Sequence, residues 1–169
     1  NSLPFYGKRN YQNALMAIYA AFLHGVHPKN SFAALENFKG VKRRFEKIYD
    51  DNNIIIIDDF AHHPTAIEST IHAAKDHFDG NILGIIELGS NTMSGGFHGP
   101  NLQKSANLLD QAFWLNLSGT KGEDHEITSV DALLNDFKDT LDGFDVILIM
   151  SNKDSKKISE PLIELIKSK

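Results

Sequence analysis

Two aspartates and two histidines, Asp58, Asp59, His62 and His63, fall in IIIIDDFAHHPTAI (54–67), where four isoleucines give way at once to charge and imidazole. Carboxylates accept hydrogen bonds from hydroxyl and N–H groups, and imidazoles move protons near neutral pH or ligate metals. The cluster therefore suits a divalent ion, which carboxylate and imidazole both ligate. A metal centre needs further ligands: adjacent histidines diverge, and no third or fourth partner is evident. A plainer reading has the aspartates capping a helix and the histidines in water. Lys42, Arg43 and Arg44 form a basic run that fits either a phosphate contact or a solvated strand face. Gly95 and Gly96, in NTMSGGFHGP (91–100), mark either a surface loop or a substrate contact. No GxxxxGK[ST] or GxGxxG phosphate loop occurs in the chain.

The elements around the cluster say where it must sit. Ile54–Ile57 is a β-branched run without polar alternation, as in a strand buried on both faces of a parallel sheet. Pro64 suits a first helical turn, and Ile67, Ile71, Ala74 and Phe78 make one apolar stripe closed by Gly80 as a left-handed cap. Residues 58–63 thus occupy the turn at the carboxyl end of a central strand, the edge where open α/β sheets bind ligands. Upstream, Leu3–Tyr6 reads as a terminal strand and Tyr11–Leu23 as a helix. Ser31 reads as the cap of a short turn, Phe32–Leu35, and Phe38–Gly40 as a linker. VKRRFEKIY and NNIIIID flank the polar Asp50–Asn53 and form a hairpin. Strands follow at Ile82–Ile86, Ala112–Leu117 and Val146–Met150, with helices at Leu102–Leu109, Ser129–Leu141 and Ile158–Lys167. The loop Gly89–Pro100 lies between two of these elements. This alternation predicts an α/β fold: a Rossmann-like, mostly parallel sheet with helices on both faces and an antiparallel N-terminal hairpin strand.

At 169 residues, 41% hydrophobic and 23% charged, the chain is one ordinary globular domain, or one domain with a piece of another. Its net charge of −5 gives no reason to expect nucleic acid as a partner. The absence of cysteine excludes a disulfide scaffold and a thiolate zinc site, and fits the cytosol. No apolar run approaches the roughly 20 residues of a membrane span, and the start has no signal-peptide pattern. The chain opens in mid-pattern without methionine, as a piece of a longer protein is expected to.

Several motifs together go beyond a generic α/β domain. GVKRRFE (40–46) followed by DDFAHHPTAI (58–67) resembles the C-terminal domain of the Mur ligases, ATP-dependent enzymes that join amino acids or peptides to a cell-wall precursor. GKRNYQNALMAIYAA (7–21) is similar to the last helical segment of the family's central ATPase domain. The resemblance therefore divides the chain into residues 1–36, a central-domain remnant with its linker, and 37–169, the C-terminal domain. ELGSNTM (87–93) and MSN (150–152) are similar to the branch that joins a diaminopimelate-containing tripeptide to UDP-N-acetylmuramate in peptidoglycan recycling. A sibling branch adds L-alanine instead, and a noncatalytic binding domain of the same fold is the further alternative.

The resemblance implies ATP and Mg²⁺ as cofactors, and UDP-N-acetylmuramate, a tripeptide and the protein's own N-terminal and central domains as partners. It implies no membrane or nucleic-acid partner. Asn10 and Asn13 match asparagines at the adenine end of ATP, Arg44 an ATP-contacting arginine, and Asp59 an acceptor from the ribose hydroxyls. His62 matches the histidine facing the incoming amine, with Ser90 and Asn91 also on the substrate side. It places no catalytic residue and no metal ligand in this chain, which alone is expected to be inactive. Arg9, Gly89 and SNKDSKK (151–157) depart from the family pattern: the branch has arginine at the place of Gly89, a contact for the peptide carboxylate.

Overall fold

The computed structural model describes residues 5–51, 53–89, 99–117 and 126–168. Helices α1 (Lys8–Leu23) and α2 (Pro28–Glu36) precede a hairpin of β1 (Glu46–Asp50) and β2 (Ile55–Asp59). There follow α3 (Pro64–Lys75), β3 (Ile82–Glu87), α4 (Gly99–Ser105), β4 (Gln111–Leu115), α5 (Val130–Thr140), β5 (Val146–Met150) and α6 (Lys156–Lys167). The five strands form one sheet in the order β1-β2-β5-β3-β4. Only the β1–β2 pair is antiparallel, so the expected architecture of a parallel sheet with an antiparallel hairpin strand is the observed one.

Strand alternation builds two cores. Val146, Leu148 and Met150 of β5 point to one face with Ile57, Ile82 and Ile86, and are covered by Ile67, Ile71 and Ala74 of α3 and Leu102 of α4. Ile147 and Ile149 point to the other face with Ile56 and Leu83, and meet Leu133 and Phe137 of α5 and Leu162 of α6. These strands are buried on both faces, which explains their uninterrupted apolar runs.

Several local expectations are corrected. The second helix starts at Pro28, not after Ser31: His27 is the cap, its ring accepting from Lys29 N at 3.2 Å, and proline takes the first helical position. Gly80 does not cap α3, which ends at Lys75 with Asp76 following, so Phe78 lies past the helix. Its φ of 97° instead lets Asp145 approach the main chain, where that carboxylate accepts from Asn81 N at 2.8 Å. Leu3 lies outside the described residues, and Phe5 and Tyr6 form no strand. Phe5 packs on Tyr11 and Phe38, and Tyr6 on Phe45, His77 and Phe78. These rings dock the start of α1 beside α3, where a Cβ on Gly7 would stand 3.0 Å from Ala73 Cβ. Helix α4 starts earlier than Leu102, at Gly99, and ends at Ser105.

Candidate functional site

The corner leading into β1 is strained. Arg43 (φ 58°) and Phe45 (φ 55°) both hold left-handed conformations although neither is glycine, a cost of about 1–3 kcal/mol each. The end of β2 holds them there. Phe60 N donates to Arg43 O at 2.9 Å, and Phe45 N donates to Asp59 Oδ2 at 2.7 Å. The other Asp59 oxygen accepts from Ala61 N at 2.8 Å. The ring of Phe60 then receives both neighbouring guanidiniums, Arg43 and Arg44, each 5.2 Å from its centroid. One strand end therefore fixes the backbone and side chain of Arg44.

Arg44 and Asp59 line a cavity of about 380 Å³ between α1, α3 and this corner. Asn10 and Asn13 enter it from α1, three residues apart and so on one helical face. Asn10 Nδ2 donates to Tyr6 O at 2.8 Å, which anchors the amide. A second, more apolar cavity of about 310 Å³ shares Asn10, Asn13 and Arg44 and adds Phe5, Leu35 and Phe38. Amides beside an apolar slot suit the edge and face of a base, a carboxylate suits hydroxyls, and a guanidinium suits phosphate. Burial pushes the Asp59 carboxyl above the ordinary Asp range, despite the Ala61 and Phe45 N–H groups and Arg44.

Four of the seven residues singled out in the sequence thus converge on one cavity. His62 lies on the adjacent turn and does not line it. Its Nδ1 is 2.9 Å from Phe60 O, and donation there leaves Nε2 as an acceptor. Its ring packs against Phe60 and His63. Ser90 and Asn91 lie outside the described residues, as do Gly95 and Gly96. Thr70 was missed: it is 7% exposed and lines the cavity with Asp59, its hydroxyl donating to Ala66 O at 3.1 Å. Its position three after Ile67, on the apolar stripe of α3, was the available signal. Among the described residues no three His, Asp or Glu side chains converge to hold a metal ion, and no helix is long and apolar enough to cross a membrane.

A second polar group tightens the same sheet edge. Asp58, buried, accepts from Ser155 Oγ at 2.7 Å and lies 3.3 Å from Arg43 Nε, whose Nη2 donates to Ser151 O at 2.7 Å. Ser151 Oγ donates in turn to buried Glu87. Burial raises Asp58 above the usual carboxyl range, against the Ser155 hydroxyl and Arg43. The folded state therefore holds this proton more tightly than the unfolded chain. Asp58 contributes stability that is complete below the ordinary Asp range and is lost as pH rises through the raised value. Asp58→Asn removes that dependence. Urea midpoints at a series of pH values are expected to show the advantage of wild type over Asp58→Asn shrinking as pH rises across this window. A widening gap contradicts the assignment.

Residues 43–153 match the family model for the Mur ligase, glutamate ligase domain. The UDP-N-acetylmuramate–L-alanyl-γ-D-glutamyl-meso-2,6-diaminoheptandioate ligase of Haemophilus influenzae is 34% identical over 96% of this chain and 39% of its own length. The crystal structure of a murein peptide ligase from Psychrobacter arcticus superposes with a TM-score of 0.71 at 37% identity, covering 98% of this chain and 38% of that one. A UDP-N-acetylmuramate–alanine ligase from Thermotoga maritima gives a TM-score of 0.78 at 25% identity over 98% of this chain and 39% of its own. The chain thus spans about two fifths of the length of the proteins it matches.

Proposed function

The chain belongs to the Mur ligase family, whose glutamate ligase domain it carries, and from that premise we propose that it closes over ATP and the incoming peptide in an amide-forming ligase. The complete protein joins L-alanyl-γ-D-glutamyl-meso-diaminopimelate to UDP-N-acetylmuramate in the bacterial cytoplasm, recycling cell-wall peptide. ATP phosphorylates the muramate carboxylate, and the alanyl amine displaces phosphate from the acyl phosphate. Asn10 and Asn13 read the adenine, Asp59 accepts from the ribose, Arg44 meets phosphate, and His62, with Ser90 and Asn91, faces the peptide. Mg²⁺ accompanies the triphosphate and offsets its charge, and is assigned no ligand in this chain.

The observation that carries this reading is the convergence of Asn10, Asn13, Arg44 and Asp59 on one cavity from separate elements. Residues 1–36 are read as the end of a central domain. In α1 only Ala14 and Ile18 are buried, while Tyr11, Leu15, Met16 and Tyr19 stay exposed, as in a helix whose apolar side packs against the rest of that domain. An L-alanine ligase is the second reading, supported by the TM-score of 0.78 to such an enzyme. It predicts that free L-alanine replaces the tripeptide in turnover.

His62→Ala in the complete protein tests the division of labour. The KM for peptide is expected to rise about tenfold, the worth of one good hydrogen bond to a charged group, with the KM for ATP unchanged. The reverse split contradicts the placement of His62 on the amine side.

A further inference from the structure

We infer that Phe60 is the positioning residue that sets Arg44 and His62 as one unit, holding the phosphate contact and the amine-side contact at a fixed spacing. The inference rests on the ligase reading, and Phe60 acts through these two residues without touching substrate itself.

The turn that carries Phe60 sorts its side chains. Ala61 is 2% exposed and belongs to the core that α3 covers, whereas Phe60 and His62 on either side of it are partly exposed. The two rings thereby share the outer side of the turn. Their centroids lie 5.2 Å apart at an interplanar angle of 81°, an edge-to-face contact. The main chain adds a second tie, since Phe60 O is 2.9 Å from His62 Nδ1. Phe60 thus orients the imidazole twice, once through its ring and once through its carbonyl.

On the nucleotide side the same ring takes both guanidiniums, each 5.2 Å from its centroid. The two arginines differ in what else they hold. Arg43 is tied off: Nη2 donates to Ser151 O at 2.7 Å, and Nε lies 3.3 Å from the Asp58 carboxylate. Its main chain is fixed as well, with Arg43 N donating to Glu46 Oε2 at 2.7 Å and Arg43 O accepting from Phe60 N at 2.9 Å. Arg43 therefore anchors Phe60, and Phe60 gives Arg44 its seat at the cavity wall. A leucine at this position would fill the volume but offer a cation no negative ring face.

The spacing matters because of the bond that forms. In the proposed reaction the amine reaches the acyl carbon as phosphate leaves it, so Arg44 and His62 serve the two sides of one displacement. A misplacement of about 1 Å in such an arrangement costs on the order of a hundredfold in rate. One aromatic ring, packed against both residues, prevents it.

The test uses the complete protein and ADP release, with wild type, Phe60→Leu and Phe60→Tyr, and with urea midpoints taken alongside. Phe60→Leu is expected to raise the KM for ATP and the KM for peptide about fivefold each, and Phe60→Tyr, which keeps the ring, to hold both near wild type. Phe60→Met, equally apolar and ringless, gives a second reading of the same loss. Double variants separate positioning from a purely structural role. Added to Arg44→Met, Phe60→Leu is expected to raise the KM for ATP no further, and added to His62→Ala, to raise the KM for peptide no further. Unchanged KM values in the folded ringless variants, or losses that add in the double variants, overturn this inference and leave the ligase reading standing. No peptide-dependent ADP release by wild type overturns the ligase reading itself.

Discussion

Asp59→Asn is expected to weaken ATP binding by the complete protein about ten- to a hundredfold and to destabilise the domain by roughly 2 kcal/mol. Both effects have one origin. The two carboxylate oxygens each accept a main-chain N–H, from Ala61 at 2.8 Å and Phe45 at 2.7 Å. An asparagine presents an acceptor to one of them and an amide N–H to the other, so a donor faces a donor. The bond to Phe45 is what holds a non-glycine residue at φ 55°, next to Arg44. Once it is lost, the corner relaxes and the guanidinium leaves its place against Phe60. The variant is therefore expected to lose the proposed ribose acceptor and the posture of the proposed phosphate contact together. Asp58→Asn, on the opposite side of the strand, is expected to change ATP affinity far less. Calorimetric titration with ATP and Mg²⁺ separates the cases: unchanged affinity in Asp59→Asn sinks the ribose assignment, and equal large losses in both variants favour a metal site.

Much of this architecture is legible in residue types. The buried strands announce themselves as unbroken runs, ILGIIE and VILIM, because a parallel sheet covered on both faces has no solvent side to record. The division between Asp58 and Asp59 was also available: successive strand residues point to opposite faces, so one meets Ser155 near α6 and the other the cavity beside α1 and α3. The left-handed turn at Arg43 and Phe45 was not, because its conformation is imposed by Asp59 and Phe60 from another strand and not by any local glycine. Ser31 misled for a related reason. A serine is a good helix cap in isolation, but Pro28 three residues earlier had already set the first turn. Gly89 stood out in the sequence as a departure from the branch's arginine, but its close approach to Asn152 and Lys153, from a segment far along the chain, is a matter of packing that no local pattern records.

The second large effect is all-or-none. The cavity brings together groups suited to base, ribose and one phosphate contact, yet the chain contains no GxxxxGK[ST] loop to cradle the β- and γ-phosphates. Phosphoryl transfer depends on positioning and on charge stabilisation around the transferred group, so the proposed ligase reading has both completed by the rest of the protein. The fold itself does not depend on that completion, because its sheet is covered on both faces by its own helices. The decisive measurement is ADP release with ATP, Mg²⁺, UDP-N-acetylmuramate and L-alanyl-γ-D-glutamyl-meso-diaminopimelate, run on the complete protein and on the folded 169-residue chain. The account predicts release by the complete protein that disappears when either the muramate or the peptide is omitted, and none by the chain alone. Turnover by the isolated chain, or release by the complete protein that ignores the peptide, contradicts it.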